Sequence, residues 1–167
     1  TAGIFSNTNA TGAAGDGGGV RVRADTLRLT GGGAISADTF GLGKGGDINV
    51  IARDIFIAAR ESPFKTGIFA DSGGVPALIS PGGVGGSISI TADRLQIVDG
   101  GFISTKSVGL GVGGDTMIDV RELIIAKGTS GLITGIAVDA AAGPGQGGNL
   151  SIDADTIRVT GGGRISA

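Results

Sequence analysis

The sequence predicts an all-β fold, a right-handed parallel β-helix (β-solenoid) of about five coils with three strands per coil and a two-coil super-repeat. Three observations predict it. One pattern of two glycines followed by spaced apolar residues recurs five times, the apolar residues within it are spaced by two, and glycine supplies 36 of 167 residues while Trp, Tyr, Cys and His are absent. The glycine count alone would also fit a low-complexity chain, but low complexity lacks ordered apolar positions, and here they are strictly ordered.

The pattern reads Gly-Gly, any residue, then apolar residues at relative positions 0, 2, 7 and 9. Its copies begin at Gly17-Gly18, Gly45-Gly46, Gly85-Gly86, Gly113-Gly114 and Gly147-Gly148. The quartets are Val20, Val22, Leu27, Leu29; Ile48, Val50, Ile55, Ile57; Ile88, Ile90, Leu95, Ile97; Thr116, Ile118, Leu123, Ile125; and Leu150, Ile152, Ile157, Val159. Only Thr116 departs from apolar character. Spacing by two is strand periodicity, and β-branched residues suit a pleated, half-buried surface. A further short strand starts at Ile4, Ile35, Ile68, Ile103, Ile136 and Ile165, so each repeat carries three strand segments separated by turns.

A repeat this short cannot bury its own apolar face. Stacking repeats at roughly 4.8 Å places like residues above one another and makes a continuous core. The crossover rule for parallel strands makes the stack right-handed. The coils run roughly 3–33, 34–66, 67–101, 102–134 and 135–163, one segment from the interior of a longer repetitive chain. The paired glycines mark a bend that needs positive φ, or a place where the next coil's backbone needs room. A phosphate cradle would need a helix behind them, and a strand follows instead.

The position-0 residues are separated by 28, 40, 28 and 34 residues, so coils alternate between an A and a B type. B coils carry five extra residues before the third strand, in the inserts Ala58 to Thr66 and Ala126 to Thr134, which align Phe64 with Leu132 and fold that apolar residue back over the stack. Longer loops, Asn7 to Gly15, Asp71 to Gly83 and Asp139 to Gly145, leave the A coils and are where binding would be placed. Relative position 5 reads Asp25, Arg53, Asp93, Arg121, Asp155, and its neighbour reads Thr26, Asp54, Arg94, Glu122, Thr156. Stacked, these become ladders of opposite charge that penalise a one-coil slip, each exposed pair contributing about 0 to 1 kcal/mol.

Composition narrows function. With 13 basic and 15 acidic residues the net charge is -2, which offers no field for nucleic acid. No apolar run is long enough to span a bilayer. No catalytic, cofactor-binding or metal-ligating residue is assigned and no cofactor is expected: carboxylates form repeating ladders rather than one irregular cluster, and the serines of Ile35 to Ala37 and Ile103 to Thr105 have no histidine to activate them. Lys44, Lys65, Lys106 and Lys127 read as scattered loop charges. Asp47 and Asp115, each after a glycine pair, superficially echo calcium-binding glycine-aspartate repeats. Those recur every nine residues, whereas here Gly19, Ser87 and Asn149 interrupt the column. An ice-binding threonine face is absent too, since relative position 3 reads Arg23, Ile51, Thr91, Asp119, Asp153.

The run from Leu27 to Val50 (LRLTGGGAISADTFGLGKGGDINV) and the segment Gly67 to Ala70 (GIFA) resemble large exoproteins of the filamentous-haemagglutinin type, exported by two-partner secretion, particularly the repetitive cyanobacterial ones. The resemblance covers essentially the whole chain. It implies a secreted, non-enzymatic shaft on the bacterial cell surface, exported through an outer-membrane transporter and used for adhesion, aggregation or an extracellular layer, with surface glycans or other cells as partners. No secretion domain is visible in the chain. Open coil edges at both ends further suggest end-to-end self-association. Two other functional classes compete with the shaft: a carbohydrate-active β-helix enzyme of the polysaccharide lyase or hydrolase kind, and a loop-borne glycan-binding module.

Overall fold

The computed structural model describes residues 2–8, 15–40, 42–73, 83–108, 110–141 and 145–167. Most of the three long loops named above therefore lies outside the described residues. Among the described residues there is no helix, and every strand pairing is parallel.

Each glycine pair launches an 11-residue strand: β2 (Val20–Thr30), β4 (Ile48–Ala58), β7 (Ile88–Val98), β10 (Thr116–Ala126) and β13 (Leu150–Thr160), which form a five-stranded sheet in the order β13-β10-β7-β4-β2. Six short strands centred near the predicted isoleucines, β1 (Ala2–Phe5), β3 (Gly33–Ser36), β5 (Thr66–Phe69), β8 (Gly101–Ser104), β11 (Gly135–Ala137) and β14 (Arg164–Ser166), form a second sheet in the order β1-β3-β5-β8-β11-β14. A third sheet, narrow and not expected from the sequence, joins β6 (Ser72–Gly73), β9 (Ser107–Val108) and β12 (Ala140–Ala141). Equivalent residues pair throughout: Val20 with Ile48, Ile48 with Ile88, Ile88 with Thr116, and Thr116 with Leu150.

The structure merges two of the three predicted segments. Relative positions 0 to 10 form one continuous strand, and the residue at position 5 is skipped in every ladder. Positions 0, 2 and 4 face the core, positions 5 and 6 both face out, and positions 7 and 9 face in again, most clearly in β4, β7 and β10. An extra outward residue bends the strand and resets its parity. An odd spacing of five between positions 2 and 7 is thus met by a bend within a strand rather than by a turn between two. The bend also buries a column absent from the quartets, Ala52, Ala92 and Val120.

One apolar cluster draws on both large sheets, including Ile48, Ile57, Ile90, Leu95, Ile97 and Leu123 from the long strands and Ile35, Ile68, Ile103 and Ile136 from the short ones. Fully burying such a side chain contributes about 1.5–3 kcal/mol. Thr116 lies in this layer and is inaccessible, as is Thr105, and their hydroxyls hydrogen-bond at 3.0 Å. The one polar residue of the quartets is therefore matched by a polar partner in the same layer.

The glycine pairs owe their place to close backbone approach, not to positive φ. A Cβ on Gly46 would collide with the Gly18 carbonyl, one on Gly86 with that of Gly46, one on Gly114 with that of Gly86, and one on Gly148 with that of Gly114. Here the first glycine of each of the first four pairs donates to the next repeat: Gly17 N–H to Lys44 O, Gly45 to Val84, Gly85 to Val112 and Gly113 to Gln146, all at 2.7 Å. Positive φ occurs elsewhere, in the turns at Gly31-Gly32, Asp99-Gly100 and Gly161-Gly162.

Two expectations follow. Gly86→Ala should lower unfolding free energy by about 3 kcal/mol or more, because backbone must move, whereas Gly31→Ala, where a Cβ meets nothing but φ is +57, should cost only about 1–2 kcal/mol. Chemical denaturation ranks the two, and equal costs would contradict the close-approach account. Second, Thr116→Val alone should cost about 1–3 kcal/mol by orphaning the Thr105 hydroxyl, and adding Thr105→Ala should recover most of that loss. A double-mutant cycle with no coupling would remove the pair's significance.

Candidate functional site

Two surfaces gather side chains that the linear sequence keeps apart. The first is a groove of about 360 Å³ on the six-stranded sheet. The inserts of the B repeats form its walls, with Pro63, Phe64 and Lys65 on one side and Leu132 and Ile133 on the other, while Phe69, Phe102, Ser104 and Lys106 line its floor. Each insert is seated on a turn glycine. A Cβ on Gly32 would lie 3.1 Å from the Phe64 Cβ, and one on Gly100 would lie 2.7 Å from Leu132. Thr66 Oγ1 accepts the Gly32 N–H at 2.8 Å, and Thr134 Oγ1 accepts the Gly100 N–H at 2.7 Å. The inserts thus fold back on the stack as their alignment suggests, yet their apolar side chains stay outward, with Phe64 54% and Ile133 60% exposed.

Lys65 and Lys106, read from the sequence as scattered, converge on this groove. Lys65 Nζ lies 5.4 Å from the centre of the Phe69 ring, and Lys106 Nζ lies 5.1 Å from that of Phe102, both within cation–π range. Lys65 Nζ also stands 4.0 Å from an Asp71 carboxylate oxygen.

Beside the groove runs a column of side chains that satisfies backbone. Asn7 Oδ1 accepts the Asp38 N–H at 2.9 Å, Asp38 Oδ1 accepts the Asp71 N–H at 2.8 Å, and Asp71 Oδ1 accepts the Lys106 N–H at 2.9 Å. The serine hydroxyls of Ser36, Ser104 and Ser166 donate to Asp38, Asp71 and Asp139 in turn. Burial pushes the Asp38 carboxyl above the ordinary carboxylate range and the Asp71 carboxylate adds to the rise, while the Asp71 N–H, the Ser36 hydroxyl and Lys65 act in the opposite sense.

Asp47 and Asp115, the residues of the calcium comparison, serve backbone in the same way, accepting the N–H groups of Ser87 at 2.8 Å and Asn149 at 2.7 Å. Asp99 accepts the Ser130 N–H at 3.1 Å, and hydrogen bonding by Ser130 holds its carboxyl below the usual range. Among the described residues no group of three or more acidic side chains is placed to hold a metal ion.

The second surface lies in the bend of the five-stranded sheet, where Arg53 and Arg121 meet Asp93, Asp119, Asp153 and Asp155 in a groove of about 340 Å³. The predicted charge ladder forms as separate pairs, Asp25–Arg53 at 3.3 Å, Asp93–Arg121 at 3.5 Å and Arg94–Glu122 at 3.0 Å, each joining an A strand to the following B strand. These side chains are largely solvent-exposed, so the pairs favour register more than stability. Towards β13 both outward columns turn acidic, and the surface there is a cluster rather than a ladder. That gathering follows from relative positions 3 and 5 lying on either side of the bend, which a strand–turn–strand reading obscures.

In comparisons with known proteins, the chain matches no family model, no curated protein and no solved structure.

The Asp38 carboxyl makes stability depend on pH. A carboxyl whose pKa is higher folded than unfolded adds stability below its unfolded value of about 3.9, and that contribution is lost as pH rises through the folded value. Asp38→Asn keeps the acceptor for the Asp71 N–H, as Asn7 does one position earlier in the column. Its thermal midpoint should exceed the parent's at pH 7 and equal it at about pH 3. A variant less stable at pH 7 would show that the Asp38 charge is favourable.

Proposed function

We propose that this chain is a segment of a right-handed parallel β-helix, one solenoid of five coils in the ranges given above, that works as a structural and adhesive shaft of a secreted bacterial surface protein. The observation that carries the reading is pairing in register: residues equivalent by sequence repeat pair in parallel across five successive long strands and again across six short ones. Such a stack grows by adding units without altering its cross-section, which suits a spacer that presents its loops away from a surface. Export of the parent protein through an outer-membrane transporter, and contact with surface glycans or other cells, belong to the same proposal. It is a non-enzymatic role.

A specific observation favours a second reading. The cluster of Asp93, Asp119, Asp153 and Asp155 beside two arginines has the residue types that acid–base chemistry on polysaccharides uses. Among the described residues, three of the four carboxylates form no ion pair within 4.0 Å, and carbohydrate turnover at this bend is the alternative to the shaft.

Excising Gly67 to Thr134 removes one A and one B coil and joins Thr66 to Gly135 in register. The shortened chain should fold, with its maximum dimension in solution scattering reduced by roughly 10 Å and its cross-sectional radius unchanged. Loss of folding, or a changed cross-section, would count against a shaft of independent units. In parallel, reducing-sugar release from a panel of polysaccharides should be nil, and release by the parent that Asp153→Asn abolishes would replace the shaft with the enzyme.

A further inference from the structure

The groove on the six-stranded sheet is graded from apolar to charged along the strand direction. Its strands run parallel, so the inserts that precede β5 and β11 both lie at strand starts. There Pro63, Phe64, Leu132 and Ile133 form apolar walls, with Phe64 54% and Ile133 60% exposed. The polar lining gathers at the opposite end: Ser104 closes β8, and Asp71 and Lys106 each lie two residues beyond the end of their strand. Leu132 is seated on Gly100, and Ser104 follows four residues along the same strand, roughly 13 Å at the ordinary strand rise. Phe69 and Phe102 floor the space between.

Charge at the polar end is unevenly engaged. Asp71 Oδ1 accepts the Ser104 hydroxyl and the Lys106 N–H, which commits it to the scaffold. Lys65 stretches over the Phe69 ring, and its Nζ stops 4.0 Å from an Asp71 oxygen, beyond hydrogen-bond length. Lys106 folds back over Phe102, and among the described residues no carboxylate lies within 4.0 Å of its Nζ. Two ammonium groups and one carboxylate thus line the groove, a net charge of +1.

These features discriminate between classes of occupant. An extended peptide would pair with backbone, but β5, β8 and β11 each have strand neighbours on both sides and present no open edge. A neutral glycan needs hydrogen-bonding groups, whereas the Ser104 hydroxyl and Asp71 Oδ1 already bond to each other. What the lining complements is an apolar body carrying one negative charge: the exposed walls gain by being covered, and the ammonium groups over the aromatic rings lack a full counter-ion. A volume of about 360 Å³ suits a small ligand.

We propose that this groove binds a medium-chain carboxylate, with its hydrocarbon between the two inserts and its carboxylate held by Lys65 and Lys106. The groove and its charges carry this assignment independently of the adhesive role.

The test is isothermal titration calorimetry on the 167-residue chain with octanoate, octanol and octyltrimethylammonium below their micelle concentrations. Two temperatures are used, because burial of apolar surface changes heat capacity and gives heat at one of them. Octanoate should bind about tenfold or more tightly than octanol, and the ammonium compound should bind most weakly. Lys65→Gln with Lys106→Gln should weaken octanoate by about tenfold or more and leave octanol within about twofold, whereas Ile133→Asp should weaken both. Circular dichroism confirms folding, and Lys106→Gln alone carries the charge test where the double variant is unfolded. Equal affinity for the three head groups, no saturable octanoate binding, or binding indifferent to the lysines would overturn the proposal. Phosphatidylglycerol vesicles should not co-float with the chain, and lysine-dependent co-flotation would replace the soluble carboxylate with a membrane surface.

Discussion

Everything in this structure depends on how closely successive backbones approach at the glycine pairs. The carbonyl of Gly46 occupies the space that a Cβ on Gly86 would need, and the same relation holds from Gly18 to Gly148. A side chain at any of these points would separate adjacent repeats locally, while the β ladders a few residues later hold strands at roughly 4.8 Å. The two demands are compatible only if the residue is glycine. Hydrogen bonds just upstream, such as Gly45 N–H to Val84 O at 2.7 Å, tie the same points together. Register set there carries into the long strands, so the isoleucine columns meet and exclude water.

That dependence explains why much of the fold was legible in the sequence. Glycine pairs, the quartets and the isoleucines of the short strands are period signals, and repetition makes them unambiguous. Thr116 read as an exception and is one, and its partner Thr105 lies in a column between Ala70 and Val138. What misled was parity. An interval of five between inward residues can be met by a turn between two strands or by one outward residue too many within a single strand, and side-chain polarity is the same in both cases. The buried alanines at relative position 4 distinguish them, since Ala52 and Ala92 would have no reason to recur at a solvent-exposed turn.

Surface features were less legible because they join residues from repeats of unequal length. Lys65 and Lys106 are 41 residues apart, a separation that matches no single repeat, and they meet only because an insert before β5 brings Lys65 to the groove's edge. The column of Asn7, Asp38 and Asp71, by contrast, keeps step with the short strands, each residue three positions after Ile4, Ile35 and Ile68. Phe102 was the available signal: it pairs with Gly67 and Gly135 on the neighbouring strands, and a Cβ on either of its glycine counterparts would strike the next backbone. An aromatic residue in a glycine column marks a place where outward space opens.

Alternation of A and B repeats is what gives this molecule a textured surface. A stack of identical coils presents columns that are uniform along its length, so any ligand or partner meets the same chemistry at every level. Two repeat types double the period and set an insert beside every second strand of one sheet. On the other sheet they alternate Asp with Arg at relative position 5 as far as β13, where Asp153 and Asp155 flank the bend. The core tolerates this variation because it reads only the inward positions, which apart from Thr116 are apolar in A and B alike. Outward positions and insert lengths are thereby free to differ, and the distinct chemistry of the two grooves resides in them.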